Sequence, residues 1–227
     1  MTMQDKKIEN YDRIVVFDVE TTGFNPRDCD MIEFAAVVLK PENGTFRKTE
    51  EVNHLVKTDK VLSETIKNLT GITEEKLKDG IEQFELFAEI KRLIEGNTLL
   101  VAYNIQFDIN FVHWLIKTFD PAYKFDKDML DMLTVYKDHH KYPHKLSNAI
   151  DEYEIDFPNS HRALDDTLAT AELFKVMHEK ETLNPYINVI GYIEKYGKKP
   201  PFFKHIRYVP QSYDIRSLRN YLEHRLF

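Results

Sequence analysis

Two carboxylates set the problem in this chain. Asp18 and Glu20 lie two residues apart at the end of the apolar run Val15-Val16-Phe17. That run reads as a buried strand, and residues i and i+2 of a strand project to the same side. Two like charges held together repel, so a shared proton, a basic neighbour or a metal must compensate them. Further acids stand at the edges of other apolar segments: Asp108 after Thr98–Tyr103, and Asp165-Asp166 just beyond His161. If such carboxylates converge, divalent cations are required, and hard oxygen donors suit Mg²⁺ or Mn²⁺ better than Zn²⁺. Two ions about 4 Å apart form a clamp for in-line attack of water at phosphorus. A histidine, with a reference pKa near 6.5, can accept the water's proton at neutral pH.

The elements that must position these groups can be read from apolar spacing. Ile14–Asp18, Met31–Leu39 and Thr45–Val56 read as three successive strands, with Pro41-Glu42-Asn43-Gly44 as a turn. Ser63 begins a short helix that ends at Gly71, and Thr73 caps a second. Ile81–Ile94, with apolar residues at 84, 87, 88, 90, 93 and 94, predicts a helix with a broad buried face. Thr98–Tyr103 is a short buried strand, and Phe107–Phe119 a helix with Asp108 in its first turn, where a bare helix-dipole role is the alternative. Met129–Tyr136 reads as a strand-to-helix passage centred on Asp131. Asp138–His144 reads as a solvated polar loop despite its three histidines, which lack a zinc-like spacing. Leu146–Tyr153 and Arg162–Lys180 are helical, with Pro158-Asn159-Ser160 as the loop between them. The alternation predicts an α/β fold with a mixed sheet flanked by helices.

Composition narrows the class. With 42% apolar and 30% charged residues in 227, the chain is globular rather than disordered. It has no apolar run long enough to span a membrane, and Met1–Asn10 lacks the apolar core of a secretory signal. A single cysteine, Cys29, excludes an internal disulfide and fits a reducing compartment, so cytoplasm is expected. The net charge of −7 argues against a basic nucleic-acid-coating protein. It is unevenly spread: residues 192–227 carry eight Lys/Arg against three Asp/Glu, +5 there and −12 elsewhere. Such a tail fits an anionic partner held at one edge, or is simply solvated.

Three motifs carry a family resemblance. Phe17-Asp18-Val19-Glu20-Thr21-Thr22-Gly23, Asn104-Ile105-Gln106-Phe107-Asp108 and His161-Arg162-Ala163-Leu164-Asp165-Asp166 resemble, in order, the motifs of the DEDDh (DnaQ-like) 3′–5′ exonucleases, among them the proofreading epsilon subunits of bacterial DNA polymerase III. The resemblance spans roughly residues 12–180. It implies an RNase H-like fold with a mixed central sheet, and two Mg²⁺ or Mn²⁺ ions held by Asp18, Glu20, Asp108 and Asp166. His161 is the implied general base, making a catalytic set of Asp18, Glu20, Asp108, His161 and Asp166. The implied substrate is the 3′ end of a single-stranded nucleic acid, DNA before RNA, released as 5′-monophosphates. Thr21 and Thr22 would contact the terminal nucleotide, Phe24 would wedge against its base, and Asn104 would contact the strand or brace the site. Periodicity does not choose between Asp165 and Asp166; the family spacing points to Asp166. Tyr103 stands where many relatives have a histidine.

The expected division is an exonuclease domain over residues 1–182 and a basic, aromatic extension over 183–227. Within the extension, Lys195, Lys198, Lys199, Lys204 and Arg207 interleave with Tyr196, Phe202, Phe203 and Tyr208, either as a single-strand groove stiffened by Pro200-Pro201 or with the rings packed onto the domain. Ser217–Phe227 reads as a short helix whose terminal Leu226-Phe227 faintly resembles a sliding-clamp peptide, so a clamp or a DNA polymerase is an expected class of partner. Other readings are RNA trimming, a phosphatase using the FDxE element, and a non-catalytic binding or assembly module.

Overall fold

A computed structural model describes residues 6–157 and 162–211. Its centre is a five-stranded sheet in the order β3-β2-β1-β4-β5. β1 (Arg13–Thr21), β2 (Met31–Glu42) and β3 (Thr45–Leu55) form an antiparallel meander. Asn43 and Gly44 close the β2–β3 hairpin with φ of 52° and 81°, the left-handed pair that a tight two-residue turn requires. β4 (Thr98–Ala102) and β5 (Asp128–Asp131) continue the sheet in parallel with β1. The mixed sheet and its flanking helices agree with the expected RNase H-like class.

Helices cover both faces. Between β3 and β4 run α1 (Glu64–Thr70), α2 (Glu74–Leu77) and α3 (Gln83–Leu93), and between β4 and β5 runs α4 (Ile105–Phe119). α5 (Met132–His139), α6 (Leu146–Glu152) and α7 (Ala163–Lys180) follow. Alternate residues of β1 separate two cores: Ile14 and Val16 pack towards α7, whereas Val15, Phe17 and Val19 pack towards α3 and α4. Ser63 and Thr73 cap α1 and α2 through Ile66 and Lys76 N–H, and Gly71 ends α1 at φ 66°, as expected from the residue types. Among the described residues no helix is long and apolar enough to cross a membrane.

Two local expectations are corrected. In α3 the buried face is Leu86, Ile90 and Leu93, while Phe84 is exposed and stacks at the surface with Phe87 and Phe119. The segment Asp138–His144 is a solvated loop only at Lys141–Pro143. α5 extends through His139, the buried Asp138 accepts the hydroxyl of Tyr186, and the buried His144 meets the His140 carbonyl through Nε2 at 2.9 Å. Aromatic neighbours, Tyr136 stacked on His140 and Tyr153 edge-on to it, supply the packing that polarity alone conceals.

After α7 the chain returns to the domain. β6 (Val189–Ile193) and β7 (Arg207–Gln211) form a small parallel sheet. Asn188 ties it to β5, donating its N–H to the Met129 carbonyl at 2.7 Å and accepting the Met129 N–H at 3.0 Å. Of the four rings of this segment, Phe203 is buried and Tyr208 half-buried, whereas Tyr196 and Phe202 are exposed along with Lys195, Lys198, Lys199 and Lys204, so the packed reading describes only part of them. The expected loop at 158–160 and helix at 217–227, with Leu226-Phe227, lie outside the described residues.

Candidate active site

The site forms where β1 outruns its neighbour. β4 pairs only with Arg13–Val16, so the rest of β1 on that side lacks a ladder partner. A buried N–H there needs another acceptor, and the Val19 N–H finds Asp108 Oδ1 at 3.2 Å. Asp108, in the first turn of α4, is thereby fixed against the strand and fully buried.

α4 is itself aimed by Asp131. Asn104 enters the helix in the left-handed conformation, φ 69°. Its N–H and that of Ile105 donate to Asp131 Oδ1 at 3.0 and 3.3 Å. Asp131 also caps α5 through the Leu133 N–H and accepts the Thr134 hydroxyl. One buried carboxylate thus joins two helix starts; burial pushes its pKa up, and these hydrogen bonds oppose the rise. Asn104 keeps an exposed side chain.

Asp18 and Glu20 project to the α7 side of the sheet, with the β1 residues Ile14 and Val16. Asp166 meets them from the first turn of α7. Each of the three offers an oxygen, and these oxygens all lie within 4.8 Å of one another. Asp165, its neighbour, is not in that group. Burial, followed by Asp108, Glu20 and Asp166, raises the pKa of Asp18. Burial and the charges of Asp166 and Glu33 push Glu20 up to about 8, with Arg162 opposing. Asp108 is raised chiefly by burial. Such a group asks for positive charge, and its all-oxygen donor set fits a hard divalent cation.

The start of α7 is held by a residue that the sequence reading passed over. Glu33, in β2 directly across from Glu20, has no solvent exposure. Its carboxylate accepts Arg162 Nη2 at 2.7 Å, Arg162 Nε at 3.1 Å and the Ala163 N–H at 3.1 Å. The signal was available: Glu33 is the one charge within the apolar stretch Met31–Leu39. His161, which precedes this anchor, lies outside the described residues.

The turn after β1 closes on itself. The Thr21 hydroxyl donates to the Gly23 carbonyl at 2.6 Å, and Thr22 Oγ1 accepts the Asp30 N–H at 3.0 Å, so both hydroxyls are engaged locally. Gly23 packs closely on Cys29: a Cβ there would sit 2.7 Å from Cys29 Sγ, which would have to shift. Phe24 emerges 89% exposed, edge-on to Phe107 with ring centroids 6.4 Å apart. The Tyr103 hydroxyl donates to the His144 carbonyl at 2.9 Å.

Residues 15–174 match the RNase_T family of exonucleases. The "DNA polymerase III PolC-type" of Staphylococcus epidermidis is 36% identical over 163 residues, 70% of this chain and 11% of that protein. The protein of the same description from Ureaplasma parvum is 29% identical over 181 residues, 78% of this chain and 12% of its own length. The chain therefore spans about a tenth of these relatives. E. coli exonuclease I, solved with a dT13 oligonucleotide, superposes with a TM-score of 0.64 at 22% identity, over 76% of this chain and 42% of that one. The nuclease domain of 3′hExo, described as a DEDDh family member bound to rAMP, gives 0.63 at 22% identity, over 75% and 94%. At such identities the two structures establish the fold.

Proposed function

The chain belongs to the RNase_T exonuclease family, and from that footing we propose that it removes nucleoside 5′-monophosphates from the 3′ end of single-stranded or frayed DNA. The observation that carries this reading is the half-buried meeting of Asp18, Glu20 and Asp166 oxygens within 4.8 Å, with the buried Asp108 beside Asp18. The expected family and fold class are those found.

Asp18, Glu20, Asp108 and Asp166 would hold two Mg²⁺ or Mn²⁺ ions. Bound there, the ions would lower the pKa of water and neutralise charge on a phosphodiester under attack. Asp18 and Glu20 present their carboxylates from one rigid strand, while Asp108 and Asp166 close in from the first turns of two helices. His161, adjoining the Arg162 anchor in sequence, would take the proton of the attacking water. Phe24 stands exposed as a stacking surface for the terminal base. Thr21, Thr22 and Asn104 line the approach through backbone groups and the exposed amide.

The DNA polymerase III description of the PolC-type relatives supports a polymerase setting; within it, proofreading or repair is the task we propose, and the cytoplasm the place. The division into an exonuclease unit over 1–182 and an extension over 183–227 is supported by the family match ending at residue 174. The rAMP in the 3′hExo structure favours RNA as the second substrate. The test compares 5′-labelled single-stranded DNA, the same strand as RNA, and a duplex with a 3′ mismatch. Stepwise shortening from the 3′ end, fastest on the two frayed or single-stranded DNAs, is expected; no cleavage of any substrate with Mg²⁺ or Mn²⁺ present would leave only a binding or assembly role.

A further inference from the structure

A groove runs along the outer side of α4. Phe107, the residue before Asp108, and Trp114 are seven positions apart, so they share one helix face with about 10 Å of rise between them. Trp114 is 40% exposed, and the Arg27 guanidinium lies over its ring, 5.4 Å from the centroid. These two residues line two adjoining cavities. One, of ≈ 260 Å³, runs towards Cys29, Phe111 and Phe119. The other, of ≈ 440 Å³, is bounded by Asn25–Arg27 on one side and Pro200–Pro201 on the other, over a floor of Asn110, His113 and Lys117.

Charge distinguishes the larger cavity. The chain carries −7 overall, yet the lining contains Arg27, Lys117 and His113 and no carboxylate. Its walls are also built. Gln106 Nε2 donates to the Pro201 carbonyl at 3.3 Å, which ties the 200–201 segment to the first turn of α4. Lys117 donates to the Pro121 and Tyr123 carbonyls at 2.8 and 2.7 Å, whereas the Arg27 guanidinium lies over the Trp114 ring and makes no ion pair among the described residues. At the end nearest Asp108 stand Phe24 and Phe107, edge to face. An exposed phenylalanine, an exposed tryptophan and an arginine in one line suit bases and phosphodiesters, because every base has a stacking face and every linkage a negative charge.

We propose that this groove binds the nucleotides of a single-stranded substrate lying 5′ of the one being removed, with Trp114 stacking a base and Arg27 facing a phosphodiester. The assignment rests on the proposed exonuclease reading for its direction. It gives the Pro200–Pro201 segment a use: a wall of the strand's path.

The chain has one tryptophan, so its own fluorescence reports on the groove. The experiment titrates the intact protein in EDTA, where no strand is cut, with dT oligonucleotides of two and eight residues, following Trp114 emission in the wild type and taking dissociation constants for every variant from the anisotropy of a fluorescein label on the oligonucleotide. The octamer should change the emission and bind more tightly than the dimer. Trp114→Ala should remove roughly tenfold of that length-dependent gain, and Trp114→Phe should restore most of it. Arg27→Gln should lessen the salt slope of octamer binding by about 0.7, the share of one phosphate on a single strand. Unchanged Trp114 emission at saturation, or the same length dependence in Trp114→Ala, would overturn the groove and leave it for a peptide. Hydrolysis assayed separately with Mg²⁺ keeps the two readings apart: a protein that cuts without Trp114 responding refutes the groove alone, and one that binds with the predicted signature but never cuts refutes the exonuclease reading alone.

Discussion

Arg162 Nη2 lies 2.7 Å from Glu33 Oε1, and this ion pair joins the start of α7 to the strand opposite Glu20. Glu33 is wholly buried while the Arg162 side chain is 35% exposed. The pair sets the entry of the helix that carries Asp166, whose N–H bonds back to the Arg162 carbonyl at 3.0 Å. Of its two members, Glu33 raises the pKa of Glu20 and Arg162 opposes that rise.

Arg162→Ala strands the buried Glu33 carboxylate. Breaking a fully buried pair costs about 3–5 kcal/mol, and the partial exposure of Arg162 lowers this to about 2–3 kcal/mol. Thermal denaturation should show that loss. The variant should also bind Mn²⁺ more weakly, because Asp166 is no longer held against Asp18 and Glu20. Unchanged metal affinity in a destabilised variant would make the pair purely structural.

Glu20 makes the pH dependence of the chelated protein specific. Its pKa rises from 4.5 to about 8 on folding, so between those values the folded state holds a proton that the unfolded state has released. Stability from this group is therefore present at low pH and declines as pH rises through the window, by up to about 1.4 kcal/mol per pH unit. Melting temperatures of the EDTA-treated protein should fall from pH 5 to pH 8. Saturating Mg²⁺ should recover more at pH 8 than at pH 5, since cation binding requires the deprotonated acids. A melting temperature that climbs steadily over this range would contradict the electrostatic account.

Asp108 has two duties that substitution separates. Asp108→Asn keeps an oxygen to accept the Val19 N–H and should preserve the fold while weakening Mn²⁺ binding and hydrolysis. Asp108→Leu loses the acceptor as well and should cost a further 1–3 kcal/mol, about the penalty of an unsatisfied buried donor. Equal stability of the two variants would show that the Val19 contact contributes nothing.

Much of this was legible in the sequence because it rests on local rules. The period-two placement of Asp18 and Glu20, the caps at Ser63 and Thr73 and the glycine exit at Gly71 are set within a few residues of themselves. The motif spacing also pointed to Asp166, and the structure brings that residue rather than Asp165 to the pair on β1. What stayed hidden depends on contacts between distant segments. Glu33 gains its meaning only when β2 registers against β1 and α7 lands on it. Asp138 and His144 read as polar loop until Tyr186 and Tyr136 pack over them. Trp114 looks like an ordinary helix residue until Arg27 and Pro200–Pro201 arrive beside it.

The histidine prediction rests on the motif resemblance. His161→Ala should leave Mn²⁺ affinity within about twofold while lowering turnover near neutral pH by roughly 10²–10⁴-fold, the usual range for a lost general base. Single-turnover rates across pH 6–9 supply the check; a wild-type rate at pH 7 would remove His161 from the chemistry.

The most direct measurement follows a 5′-labelled single-stranded DNA incubated with EDTA-stripped protein after addition of Mg²⁺, for the wild type, Asp165→Asn and Asp166→Asn. The site described predicts a ladder shortening one nucleotide at a time from the 3′ end in the wild type and in Asp165→Asn. It predicts a rate reduced by at least about 10²–10³-fold in a folded Asp166→Asn. Undiminished cutting by Asp166→Asn, or shortening that proceeds without any divalent ion, would contradict it.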